Sequence, residues 1–156
     1  MHAMTDLDIR KAERADLPAI IALFAADDVG AHDDTVEPEA FGDYLAAFVR
    51  IEASPLQTLY VGCRGQDVVG TFQTTLLISL PGRGRPRLLI EAVQTRTDMR
   101  GRGIGDRMMR HAIERAREEG AVKVQLSSNA ARSDAHRFYE RLGFVRSHFG
   151  FHMPLK

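Results

Sequence analysis

The sequence has too little cysteine to cross-link itself. Cys63 is its only cysteine, so no internal disulfide can form, which fits a reducing compartment. It has no excess of either charge. The 21 Lys and Arg residues balance 21 Asp and Glu, so no global field draws the chain to nucleic acid or a membrane surface. It has no apolar run near membrane-spanning length. The opening MHAMTDLD lacks the apolar stretch of a secretory signal, so a cytoplasmic location is expected. It also has no metal-ligand pattern: His32, His111, His136, His148 and His152 are scattered, and no metal is expected.

What is present suits one compact domain over residues 1–156, long enough to bury a respectable core. A short strand around Leu7 to Arg10 precedes a helix in which Asp16 offers an N-cap and Pro18 sits in the first turn. Leu17, Ile20, Ile21 and Phe24 follow helical spacing. An acidic loop follows, and Pro38 opens a second helix with Phe41, Leu45 and Phe48 on one face. Two strands joined at Arg64 to Asp67 come next, with Leu59, Val61 and Cys63 alternating. PGRGRPR reads as a loop and LLIEAVQT as a further strand. Ile104, Met108, Ala112 and Ala116 form the apolar stripe of a long helix that Gly120 stops. VKVQLSS is a strand, SDAHRFYERLG a short helix capped by Ser133, and FVRSHFGFHMPLK supplies the last extended segments. The order β-α-α-β-β-β-α-β-α-β implies an antiparallel meander plus one parallel crossover from Leu88 to Ser127, hence a mixed α/β sheet.

One stretch carries chemistry. DMRGRGIGDRMM joins the LLIEAVQT strand to the long helix. A helix N-terminus presents unpaired amides and the positive end of its dipole, and anions bind there. Gly101, Gly103 and Gly105 clear side chains from the approach, and Arg100 and Arg102 add charged donors. The spacing fails both the dinucleotide GxGxxG pattern and the P-loop. A tight turn with solvated arginines remains the bland alternative.

Together with DAHRFYERLGF downstream, IEAVQTRTDMRGRGIGDRMM resembles the GNAT superfamily of acyl-CoA-dependent N-acetyltransferases, most strongly over roughly residues 87–145. The turn is similar to the family's Arg/Gln-x-x-Gly-x-Gly/Ala pyrophosphate loop. Ala135 to Phe144 match its Ala-x-x-Phe-Tyr-Glu-x-Leu-Gly-Phe helix. The resemblance implies an α/β (α+β) fold: a mixed, mainly antiparallel central sheet flanked by helices, with a splayed parallel strand pair forming an acetyl-CoA cleft. It implies that the cosubstrate's pantetheine arm lies along Val93, Gln94 and Thr95. Its pyrophosphate would rest on the segment holding Arg100, Gly101, Arg102, Gly103, Ile104, Gly105 and Asp106. Where the family often has an asparagine, this chain has Arg132, which either faces the cosubstrate's phosphates or is a solvated surface arginine, and Asn129 is the candidate substitute.

An amine must lose a proton to attack, and the departing thiolate benefits from gaining one. Glu91, among apolar neighbours and sharing a strand face with Leu89 and Val93, is the candidate base; burial there raises a carboxylate's pKa. A wet-face or ion-paired carboxylate is the alternative. Tyr139 is the candidate acid, which the resemblance places near the CoA sulfur; a core tyrosine beside Phe138 is the alternative. Backbone amides near Val93 are candidates to polarise the thioester carbonyl. Cys63 reads as a small buried residue, and GRGRPR as a solvated loop. The acidic loop with Asp27, Asp28, Asp33, Asp34 and Glu37 is a candidate flank for a cationic acceptor. HFGFHMP lines either the acceptor site or a homodimer surface. The expected activity is acetyl transfer from acetyl-CoA to a primary amine of a small molecule or peptide. Two rivals are a silent acyl-CoA sensor and a nucleic-acid-binding domain using the Arg/Gly loops.

Overall fold

Period-two apolar patterning builds the sheet. In β2 (Gln57–Arg64), Leu59, Val61 and Cys63 point to one face and Tyr60 and Gly62 to the other. β3 (Asp67–Leu77) returns antiparallel through a two-residue turn in which Gly65 takes φ 60. β1 (Leu7–Lys11) and β4 (Arg87–Thr95) flank this hairpin antiparallel, and β5 (Val124–Leu126) joins β4 in parallel. The sheet order is β1-β2-β3-β4-β5, the mixed topology expected from the element order. This computed structural model describes residues 6–27 and 33–156. The chain divides into a unit ending at Leu126, which holds the sheet, and a unit of Ser127–Lys156.

Helices α1 (Leu17–Ala25) and α2 (Phe41–Ala53) cover one sheet face. Leu17, Ile21 and Phe48 form one buried cluster there, and Ile20, Val61 and Cys63 another. Pro18 lies in the first turn of α1. Asp16 stands at its N-cap, but its carboxylate caps the preceding 3-10 turn over Arg14–Asp16 and not α1. It accepts from the Arg10 guanidinium at 2.7 and 3.0 Å and from the Glu13 amide at 2.7 Å. That bridge ties β1 to the start of α1, and it holds the Asp16 carboxyl below its usual range.

Helix α3 (Ile104–Glu118) covers the opposite face with Ile104, Met108, Met109, Ala112 and Ala116. It comes so close that a Cβ on Gly70 would sit 2.8 Å from Met108 Sδ and 3.2 Å from Ile104 Cγ2. Gly70 pairs with Thr95, so glycine at this one position lets the first turn of α3 settle beside the end of β4. His111 packs against the stacked Tyr60 and Phe72 rings, and burial lowers its pKa. At the C-terminus Gly120 takes φ 74, and the Ala121 amide reaches Ala116 O at 2.9 Å, the wrap of a glycine-stopped helix.

The second unit holds α4 (Ser133–Arg141). Arg132, not Ser133, is its N-cap residue, and no side chain caps it. A turn made by Asn129, whose Oδ1 accepts from the Ala131 amide at 2.8 Å, leads the chain in. The strand expected within residues 144–156 is not formed: that segment has no laddered residue.

Candidate functional site

The site starts from an irregularity in β4. Thr71 pairs with Gln94 and Gln73 with Glu91, so the register passes over Ala92 and Val93 while β3 advances through Phe72 alone. This is a β-bulge, and Ala92 bears it at φ 55, a left-handed conformation that an alanine adopts only under constraint. On the other side, the pairing of β4 with β5 ends at Ile90 with Leu126. Beyond it β4 continues to Thr95 with no strand on that side among the described residues. The parallel pair therefore opens over Val93, Gln94 and Thr95, the stretch expected to receive an extended ligand.

The bulge also shifts the strand's phase. Glu91 shares its face with Gln94, through their partners Gln73 and Thr71, and no longer with Val93. The expectation that Glu91 and Val93 lie on one face is corrected by this extra residue. So is the expectation that Glu91 is buried: Leu88 and Ile90 are 3% and 1% exposed beneath α3, whereas Glu91, on the other face, is exposed. A reach across the sequence joins this face to the acidic loop. Gln94 Nε2 donates to Asp27 Oδ2 at 2.8 Å. No local signal marks residues so far apart as neighbours. Farther along that loop, Asp34 accepts from the Tyr44 hydroxyl at 2.8 Å. Asp28 and His32 lie outside the described residues.

After Thr95, a 3-10 turn over Thr97–Met99 buries Met99 and leads to the glycine segment. Gly101 and Gly103 take φ 76 and 81, and Gly103 is the N-cap of α3. Having no side chain, it leaves the first amides of α3, at Ile104, Gly105 and Asp106, without a capping oxygen. Space around Gly101 is open for 4 Å. Arg100 and Arg102 are exposed. Ile104 is 4% exposed and serves as the anchor on Gly70, so only its backbone faces outward. The Asp106 carboxylate pairs with Arg110 at 2.8 Å, which keeps its charge from opposing an anion at the helix end. A cavity of about 360 Å³ adjoins the turn, where Thr95, Arg96 and Arg100 face Ala15, Ala19 and Ala22.

In the second unit Tyr139 is half-buried. Its ring contacts Phe138 and Phe144 with centroids 5.2 and 5.9 Å apart. Burial pushes the phenol pKa up, and Arg132 works against that shift. Asn129 spends its side-chain oxygen on the Ala131 amide, leaving its NH2 group available. Cys63 is 4% exposed, and burial raises its thiol pKa, which suits packing and not nucleophilic attack. Among the described residues no helix is long and apolar enough to cross a membrane, and no group of three His, Cys, Asp or Glu could hold a metal ion.

The fold has counterparts among known proteins. The Acetyltransferase (GNAT) family matches residues 17–144. This chain belongs to that family. The crystal structure of a transcriptional regulator from Bacillus halodurans C-125 superposes with a TM-score of 0.92 at 38% identity, over 96% of this chain and 99% of that one. The aminoalkylphosphonate N-acetyltransferase of Salmonella typhimurium is 51% identical over 53 residues, and the streptothricin acetyltransferase of Streptomyces lavendulae 41% identical over 59. Those matches cover 34% and 38% of this GNAT chain, and only 34% and 31% of the two relatives' own lengths.

Proposed function

We propose that this chain is an acetyl-CoA-dependent N-acetyltransferase that transfers the acetyl group directly to a primary amine of a small molecule or peptide. One observation carries the reading: β4 is freed from β5 at Ile90 and leads to the glycine-opened, uncapped start of α3. An extended amide-bearing arm suits the first feature, and a diphosphate suits the second. The family match runs through both units, which supports one functional domain.

Acetyl-CoA, when bound, supplies an acetyl group activated as a thioester. The backbone of Val93, Gln94 and Thr95 holds the arm as a strand would, and the bulge leaves amides to polarise the thioester oxygen. The amides at the start of α3, with Arg100 and Arg102, hold the diphosphate. On the second unit, Asn129 through its free NH2 and Arg132 through its charge complete the cosubstrate's polar contacts. Glu91, exposed to solvent, accepts the amine proton at a carboxylate oxygen, directly or through a water. Tyr139 Oη, protonated at neutral pH, donates to the departing sulfur. The acidic residues Asp27 and Asp34 attract a cationic amine. No metal takes part in this scheme, and a cytoplasmic location supplies the cosubstrate.

The test is thermal stabilisation by CoA, followed by thiol release across a panel of amines. Gly103→Glu, which puts an anion at the helix start, is expected to abolish stabilisation. Tyr139→Phe is expected to lower kcat about 10²- to 10⁴-fold while CoA still binds. Failure of CoA to stabilise the native protein would sink the proposal. Binding without turnover of any amine would favour the silent sensor. A second reading has one observation behind it, since the Bacillus halodurans relative is a transcriptional regulator. Salt-sensitive binding to oligonucleotides, with none to CoA, would favour that reading.

A further inference from the structure

Opposite charges stand on one face of β4. From Arg87 to Glu91 the pairing with β3 is regular, so Arg87, Leu89 and Glu91 point to one side, with Leu77, Thr75 and Gln73 as their neighbours. The two charges are four residues apart, about 13 Å between Cα atoms in an extended strand. Neither forms an ion pair among the described residues.

Arg87 is held in an unusual way. It is half-buried, yet its head meets only neutral groups: Nη1 donates to Gln125 Oε1 at 2.9 Å and Nη2 to Ser79 Oγ at 3.5 Å. Gln125 pairs with Leu89, the residue midway between the two charges. Withdrawing a cation from water costs free energy unless an anion compensates it. A guanidinium has five N–H donors, and these two contacts leave the others open. The neutral partners therefore fix the head without neutralising it, which keeps a charge ready for an anion. Past Glu91 the face continues to Gln94, which donates to Asp27 at 2.8 Å. The face is positive where β4 begins and negative where β4 parts from β5.

We propose that the acceptor is a small zwitterion, a primary amine that also carries a carboxylate or phosphonate a few bonds away, with Arg87 holding the anion and Glu91 meeting the amine. The inference rests on the acetyl-transfer reading and narrows its substrate class. A dipolar ligand laid along a dipolar face compensates both charges at once, and the two ends fix its direction. Side chains reaching inward from both positions leave room for a short ligand only. A plain amine leaves Arg87 without an anion. In the transfer the nitrogen bonds to the acetyl carbon and the carbon–sulfur bond breaks. The nitrogen gives up two protons, one to Glu91 and one that balances the proton gained by the departing sulfur. The product has lost the positive charge that Glu91 attracts, which favours its release.

Matched pairs of acceptors test this: β-alanine against β-alanine amide, and 2-aminoethylphosphonate against propylamine. Binding is read by calorimetry on the protein with and without CoA, and turnover by thiol release from acetyl-CoA. The acid-bearing member of a pair is expected to bind, and to turn over by kcat/KM, about 10- to 100-fold better, and the larger of the two ratios tells carboxylate from phosphonate. Arg87→Gln is expected to bring both ratios close to one. Arg87→Lys, which keeps the charge and loses the fork, is expected to retain part of the preference, and this guards against misfolding of the first variant. Arg83→Gln, exposed on the preceding loop, is expected to leave both ratios intact. Amines turned over with no preference for the acid overturn the inference and leave the transfer reading standing. A preference that survives Arg87→Gln overturns the role of Arg87. Preferential binding of the acids without turnover of any amine overturns the transfer reading and leaves recognition of the zwitterion standing.

Discussion

The chain holds two loops of nearly the same composition. One is GRGRPR at residues 82–87, the other RGRGIG at 100–105. Their glycines also agree: Gly82 and Gly84 take φ 73 and 75, Gly101 and Gly103 φ 76 and 81. Arg83, between the first pair, is itself left-handed at φ 66, and the element that follows each loop differs. The first loop closes on itself, with the Gly84 amide on Leu80 O and Arg85 Nε on Gly82 O, and then feeds a strand. The second runs into a 15-residue helix anchored on Gly70, so its amides converge at the positive end of a dipole. Arginine and glycine make a loop adaptable and positive. Only the helix behind it makes it the proposed anion site.

The largest expected effect comes from a matched pair of substitutions. Gly84 and Gly101 share a positive φ and open space around a new Cβ. Glutamate at either costs a similar left-handed penalty, about 1–2 kcal/mol. CoA at a hundredfold excess over its Kd stabilises the native fold by about 2.7 kcal/mol, or roughly 5–10 °C. Gly101→Glu is expected to erase that shift, and Gly84→Glu to leave it whole. Equal loss in a thermal-shift titration would show that the loops are not distinguished by the helix.

A smaller effect follows from removing one charge. Arg102→Ala is expected to weaken CoA binding about tenfold, the loss of one exposed charge-assisted contact, and to flatten its salt dependence. Arg83→Ala, exposed on the other loop, is expected to change neither. Calorimetric titration at two salt concentrations reads both.

The same contrast marks what the sequence discloses. Periodicity placed β2, β3, the apolar stripe of α3 and the Gly120 stop, because those depend on neighbours within a few residues. The two linked motifs placed the glycine turn between β4 and α3. The bulge at Ala92 was not legible, since alanine carries no mark of a left-handed backbone. With it went the phase of the strand: Glu91 was assigned to a buried face and stands on an exposed one. The bond from Gln94 to Asp27 depends on folding alone. Ser133 reads as a cap, yet the Asn129 turn takes over the entry to α4. The tail reads as a strand, yet none of its residues is laddered.

The smallest effect concerns an arginine outside both loops. Arg132 precedes α4, and its charge favours the phenolate of Tyr139, whereas burial favours the neutral phenol and prevails. Arg132→Ala removes the opposing influence, so the phenol should titrate at still higher pH. The difference in phenolate absorbance between each protein and its Tyr139→Phe counterpart isolates this ring from the other tyrosines. The sign extends to stability. A folded-state pKa raised above the unfolded value of about 10 leaves stability intact below that pH and drains it as pH climbs through the folded value. Arg132→Ala should therefore lose stability more steeply in alkali than the native chain, with no change near neutrality from this source. A downward move of the phenol titration would mean that Arg132 holds Tyr139 in its buried place and does not act by charge.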